Sequence, residues 1–207
     1  ALKQNPNKYQ VVIPVSIFGL PADFKELEKL KVKYNLKIIE DAAQSFGSSV
    51  DGKMSCSFGD IGCTSFFPAK PLGCYGDGGS IFTDDDNLAE ILKSIRIHGT
   101  GADKYHNIRV GINGRLDTIQ AAILLGQLES SEEIIKNKKR VFETYRKNLS
   151  NLEGIKLQVS EKNTVHSNWM FGVRIVASKG YEYAKNFFQE FGIETRPMFY
   201  PYTKHKH

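Results

Sequence analysis

The chain opens its apolar pattern with a continuous β-branched run, VVIPVSI at 11–17, as expected of a buried parallel strand. Next comes ADFKELEKLKVKYN, in which Phe24, Leu27, Leu30 and Tyr34 recur at spacings of three and four. That is the period of an amphipathic helix. LKIIE at 36–40 is the next strand, so strand, helix and strand form a βαβ unit, expected to be right-handed. Further strands are expected at CTSFF (63–67) and GSIFT (79–83), with a helix over 86–96. From Asp117 to about Leu149 the pattern is helical, with Ile119, Ile123, Ile134, Val141, Tyr145 and Leu149 on or near one side.

After residue 152 the style changes. Strands are expected at 155–159, 168–176 and 193–196, with a helix near 181–191. The alternation of strands and helices makes this an α/β chain. We divide it into a large domain over 1–151 and the start of a smaller α+β domain over 152–207. No internal repeat or low-complexity linker is visible.

Composition narrows the function only slightly. No apolar run approaches the roughly 20 residues that cross a bilayer, so no membrane partner is expected. Three cysteines, Cys56, Cys63 and Cys74, are too few and too oddly spaced for a disulfide scaffold or a zinc site. They fit reduced thiols and a cytoplasmic location. The net charge is +5, and the only dense basic block, KNKKR at 136–140, reads as a solvated helix face rather than a nucleic-acid surface. A mild positive balance suits an anionic ligand without selecting one. The terminal KHKH has residues that bind metals, but a frayed end is the simpler reading, and no metal site is expected.

Several residues could carry chemistry. Asp41 directly follows a strand, where open α/β sheets bind ligands. A carboxylate there can meet a cationic ring nitrogen, although a helix N-cap fits the same position. Lys70 sits in SFFPAKPLG between Pro68 and Pro71, which stiffen the loop. It could be an imine-forming lysine or an ordinary exposed loop residue. Ser65 could donate to a phosphate. The glycines of GCYGDGGS (73–80) match neither the dinucleotide nor the P-loop spacing and indicate a tight turn.

The order of these pieces is more specific than any one of them. EDAAQSFGS, FGDIGCTSFFPAKPLGCYGDGG, IRIHG and GINGRLDTIQAAILLGQLE follow one another in a chain that resembles the DegT/DnrJ/EryC1/StrS family. These are sugar aminotransferases of fold type I that use pyridoxal phosphate (PLP). The resemblance runs from VSIFGLPAD at 15–23 to about residue 146, and more loosely beyond 152.

The resemblance implies a role for each matching residue. Asp41 matches the aspartate that pairs with the pyridine nitrogen, Gln44 the glutamine near the ring hydroxyl, and Ser65 the serine that binds the phosphate. Lys70 matches the Schiff-base lysine. Asn113 matches an asparagine that reaches the cofactor of the neighbouring subunit, so a homodimer with a shared active site is implied. Arg115 supports its own loop or the substrate, and His98, Arg196 and Tyr200 are candidate substrate contacts for which structural roles fit equally well.

The implied reaction moves an amino group from L-glutamate to a keto nucleotide sugar, for polysaccharide or O-antigen synthesis. PAKPLGCYGDGGSIF with HNIRVGINGRLDTIQAAIL is most similar to enzymes acting at C3 of UDP-linked 2-acetamido-3-keto-hexuronic acids. ETRPMFYP (194–201) is similar to C4 aminotransferases of the perosamine type. Three features depart from the family pattern. Ala69 stands where many members have Ser or Thr, Gly114 replaces a commonly larger residue, and the family's first segment and the end of its small domain are expected to lie outside these 207 residues. Two rivals remain: PLP-dependent dehydration, against which Lys70 argues, and a non-catalytic remnant of the fold.

Overall fold

Pro14 interrupts the first apolar run. It has no N–H to give a ladder, so the expected strand over 11–17 is regular only at β1, Val11–Val12. Beyond the proline the chain stays alongside its neighbour: Asp41 N–H donates to Pro14 O at 2.9 Å and Ser16 N–H to Asp41 O at 3.0 Å. The computed structural model describes residues 2–5, 8–103, 105–176 and 180–198.

Helix α1, Phe24–Tyr34, begins at Asp23, whose carboxylate accepts from Glu26 N–H, and ends at Asn35 in the left-handed conformation. Strand β2, Lys37–Asp41, follows. Phe24 stacks on Phe58 at 4.3 Å between ring centroids, over Ile38, which fixes α1 against the sheet. Ser49–Val50 (β3) and Lys53–Met54 (β4) form a hairpin that the sequence reading did not anticipate. Asp51 and Gly52 both have positive φ at its tip.

Strands β5, Ile61–Ser65, and β6, Gly79–Phe82, complete a four-stranded sheet ordered β1-β2-β5-β6. β1, β2 and β5 run parallel, and β6 is antiparallel to β5. The sheet is thus mainly parallel, as expected. Helix α2, Asp86–Arg96, has the expected bounds and is capped by Asp85.

The single helical stretch expected over 117–149 divides into α3, Thr118–Glu129, and α4, Ser131–Leu149. The break falls at Ser130, where ψ is 2° and a serine pair weakens the helical ladder.

Beyond α4, β7 (Ile155–Leu157) pairs antiparallel with β9 (Val173–Ile175), and α5 covers Gly180–Glu190. Between them, β8 (Thr164–Val165) joins the free edge of β3. The strand expected at 193–196 is absent. Gly192 and Ile193 instead close the end of α5 onto Gln189 and Phe188, and Pro197 removes a ladder donor. Tyr200 and the terminal KHKH lie outside the described residues. Among the described residues no helix is long and apolar enough to cross a membrane.

Candidate functional site

Asp41 ends β2 and Ser65 ends β5, and these strands are parallel neighbours with Asp41 opposite Cys63. Both residues therefore sit at the same carboxyl edge of the sheet, where α/β folds receive ligands. The Asp41 carboxylate accepts from Ala43 N–H at 3.0 Å through Oδ1, which leaves Oδ2 without a partner among the described residues. Ser65 Oγ accepts from Phe67 N–H at 3.2 Å, and its own proton remains to be donated.

Glu40, one residue earlier, points to the other face, as alternation along a strand requires. It is fully buried. Its Oε1 accepts from the Ser55 hydroxyl at 2.7 Å and its Oε2 from Phe58 N–H at 3.0 Å, and Ser45 and Ser55 share a short hydrogen bond. Burial pushes the Glu40 carboxyl above its usual range, opposed by donors from Ser55, Cys56 and Phe58. This network anchors the loop beneath the strand end that presents Asp41.

Lys70 is held in a tight turn: its N–H donates to Phe67 O at 2.8 Å. The loop that follows is pinned from both sides. Cys74 donates to Phe66 O from its N–H (2.8 Å) and its thiol (3.1 Å), Gln120 of α3 accepts from Tyr75 N–H at 2.8 Å, and Leu72 and Cys74 pack on Leu124. Gly73 is required by close approach, since a Cβ there would lie 2.6 Å from Pro68 O. The glycine cluster is thus a loop closure, in agreement with the tight turn expected.

A segment from the far end of the chain completes the group. Ser167 donates its N–H to Gly19 O (3.0 Å) and its hydroxyl to Gln44 O (2.9 Å). Two residues on, Trp169 Nε1 donates to Ala69 O at 2.6 Å, and the Lys70 ammonium lies 4.7 Å from the centroid of the Trp169 ring. Gln44 also accepts from Phe18 N–H at 2.6 Å through its side-chain oxygen, so its NH2 end remains available. Sequence reasoning missed Ser167, Trp169 and Glu40. The available signals were that Trp169 is the sole tryptophan of the chain and that Glu40 is a charged residue inside an apolar strand.

His98, Asn113 and Arg115 form a second group. The loop after α2 folds back on itself through His98 N–H to Ile112 O (2.9 Å) and Gly114 N–H to Arg96 O (2.8 Å), and Asn113 bridges to Ile97. Arg115 Nη1 lies 3.5 Å from His98 Nε2, and all three side chains are exposed. No hydrogen bond or ion pair among the described residues joins this group to Asp41, Ser65 or Lys70. Arg196 pairs with Glu194 at 3.2 Å.

A hollow of about 1110 Å³ lies between β5, β6 and α2, and none of the candidate residues among the described ones lines it. It borders Cys56, whose thiol is pushed up to about 12 by burial and by Glu40.

The chemistry of Asp41, Ser65 and Lys70 suits PLP: a carboxylate with a free oxygen for a ring cation, a hydroxyl with a free proton for a phosphate, and a half-buried lysine that pairs with no carboxylate among the described residues.

Comparison with known proteins agrees with this fit. Residues 5–207 match the model of the DegT/DnrJ/EryC1/StrS aminotransferase family, whose aminotransferases are PLP-dependent. The chain is 49% identical over 166 residues to UDP-2-acetamido-2-deoxy-3-oxo-D-glucuronate aminotransferase of Pseudomonas aeruginosa, covering 80% of this chain and 46% of that protein. It is 33% identical over 197 residues to GDP-perosamine synthase of Escherichia coli O157:H7, covering 94% of this chain and 53% of that protein. The structure of S. venezuelae DesV in complex with a ketimine intermediate superposes with a TM-score of 0.83 at 33% identity, covering 89% of this chain and 49% of that one. The chain thus spans about half the length of the curated relatives it matches.

Proposed function

The chain belongs to the DegT/DnrJ/EryC1/StrS aminotransferase family, and from that premise we propose that it is part of a PLP-dependent transaminase that places an amino group on a keto nucleotide sugar. The observation that carries this reading is the common sheet edge shared by Asp41 and Ser65, with Lys70 in the pinned loop that leaves it.

Bound PLP supplies an electrophilic carbonyl and an electron-withdrawing ring. In this proposal Asp41 holds the proton of the ring nitrogen, since an adjacent carboxylate favours the cationic form. Ser65 would hold the phosphate through its hydroxyl, and Gln44 would offer its NH2 end to the ring hydroxyl. Lys70 would hold the cofactor through its amine and, when that amine is free, would move a proton at the reacting carbon of an amino donor, L-glutamate, as general base. The same residues would serve the keto sugar in reverse.

The preferred substrate is a UDP-linked 2-acetamido-3-keto-hexuronic acid, aminated at C3. The higher identity to the Pseudomonas protein supports this choice. A C4 reaction of the perosamine type is the second reading, supported by the wider coverage of that match. Either product would feed polysaccharide or O-antigen synthesis in the cytoplasm, and the free thiols suit that compartment.

We also propose a homodimer in which the loop carrying His98, Asn113 and Arg115 reaches the partner's site. Its support is the exposed apolar returning limb of that loop, where Val110 is 95% exposed and Ile112 63%. Residues 152–207 begin the smaller domain in this scheme. The test is a panel of keto nucleotide sugars assayed with L-glutamate, with the aminated carbon assigned by NMR. Amination at C3 of the hexuronic acid is the expected result. Amination at C4 selects the second reading, and no amination of any panel member rejects the transaminase.

A further inference from the structure

Trp169 reaches the lysine loop from 99 positions further along the chain, and two separate contacts fix it there. Its indole N–H donates to Ala69 O, the carbonyl directly before Lys70, at 2.6 Å. Its ring face lies under the Lys70 ammonium, 4.7 Å from nitrogen to centroid. The segment that delivers it is itself anchored. Ser167 is buried and bonded to Gly19 and Gln44, and Asn168 has φ of +54° with its N–H on His166 Nδ1 at 2.8 Å. That left-handed residue turns the chain so that Ser167 points inward and Trp169 reaches the loop.

We propose that Trp169 is a positioning residue for Lys70, with its indole N–H fixing the peptide before the lysine and its ring face holding the amine where it meets the cofactor. The inference rests on the PLP reading above. A lysine side chain has four rotatable stem bonds, and its freedom must be lost before the amine can react at one point. An aromatic face attracts the ammonium and restricts that freedom. The indole N–H restrains the Ala69–Lys70 peptide, so both ends of the lysine are held by one side chain. Phenylalanine would keep a weaker face and lose the donor, and leucine would lose both.

The experiment has two arms. In the first, the cofactor-free protein and its Lys70→Met variant are compared by intrinsic fluorescence, which reports Trp169 alone because the chain has one tryptophan. Removing the ammonium from the ring face is expected to change the emission. Identical spectra overturn the contact. In the second, the rate at which PLP is captured covalently at Lys70 is measured by borohydride trapping and mass spectrometry. Trp169→Leu is expected to slow capture about tenfold and Trp169→Phe only about two- to threefold.

A wild type that captures no PLP at Lys70 sinks the functional reading, and the fluorescence arm still decides the contact. A wild type that captures PLP, with Trp169→Leu equally fast, sinks this proposal and leaves the functional reading intact. Should Trp169→Leu fail to fold, Trp169→Phe at the full wild-type rate together with unchanged Lys70→Met emission overturns it. A merely structural tryptophan would not respond to removal of the Lys70 amine.

Discussion

Ser167 donates its hydroxyl to the backbone carbonyl of Gln44, 123 positions earlier, at 2.9 Å, and ties the late segment of the chain to the loop that follows Asp41. Ser167 is 2% exposed, so its removal leaves a buried carbonyl without that donor. Ser167→Ala is expected to cost about 1–3 kcal/mol of unfolding free energy. Urea denaturation measures this, and a change within ~0.5 kcal/mol would show that water or a shifted loop replaces the bond.

Asp41 presents one unpartnered carboxylate oxygen at the sheet edge, and the proposed reaction depends on its negative charge. Asp41→Asn keeps the size and a carbonyl to accept from Ala43 N–H. It is expected to lower the transamination rate by about 10²-fold or more, with covalent PLP capture by Lys70 retained. Single-turnover absorbance with glutamate separates the two effects. A wild-type rate in this variant would remove Asp41 from the chemistry.

Glu40 and Asp60 predict opposite pH dependences. Burial raises the Glu40 carboxyl above 4.5, so the folded state binds more protons there than the unfolded chain. Its contribution to stability is complete below 4.5 and is lost as pH rises through the raised value. Burial also pushes Asp60 up, but Ile38 N–H and the ammonium groups of Lys37 and Lys31 outweigh it and hold the carboxyl below 3.8. Its contribution is present above 3.8 and is lost as pH falls through the folded value. Glu40→Gln places an NH2 group against backbone N–H donors and is expected to destabilise by about 1–3 kcal/mol. The gap to wild type should narrow as pH rises above 4.5. Asp60→Asn should instead shrink the loss of wild-type stability in acid. Urea melts from about pH 3 to about pH 7 check both signs.

Gly99 has φ of +74°, and a Cβ there would run into the Arg109 carbonyl. Gly99→Ala is therefore expected to open the loop that gathers His98, Asn113 and Arg115. In the proposed dimer this should weaken self-association while PLP capture at Lys70 persists. Analytical ultracentrifugation beside borohydride trapping tests the pair, and undiminished dimerisation would detach this loop from the interface.

Local pattern was enough to read much of this molecule. The spacing of apolar residues placed α1, α2 and the main strands. It also put Asp41 at a strand end, because helix and strand periods act over a few neighbouring residues, whereas Ser65 fell inside the strand expected over 63–67 and ends the observed one. Asp51-Gly52 was legible too, as a dipeptide suited to two left-handed residues in a hairpin turn. It went unread because its flanking strands are only two residues each and show no alternation. The break at Ser130 and the missing strand at 193–196 likewise turned on single residues within otherwise regular patterns.

The amino-acid order alone established the α/β class, the family pattern and the candidates Asp41, Gln44, Ser65 and Lys70. Only the tertiary structure decided that β8 pairs with β3, that Ser167 bonds Gln44, and that Trp169 lies against Lys70. These contacts join residues about a hundred or more positions apart. Nothing in the local composition of 164–169 favours them, and they form only when the rest of the fold has closed the long loop between their partners.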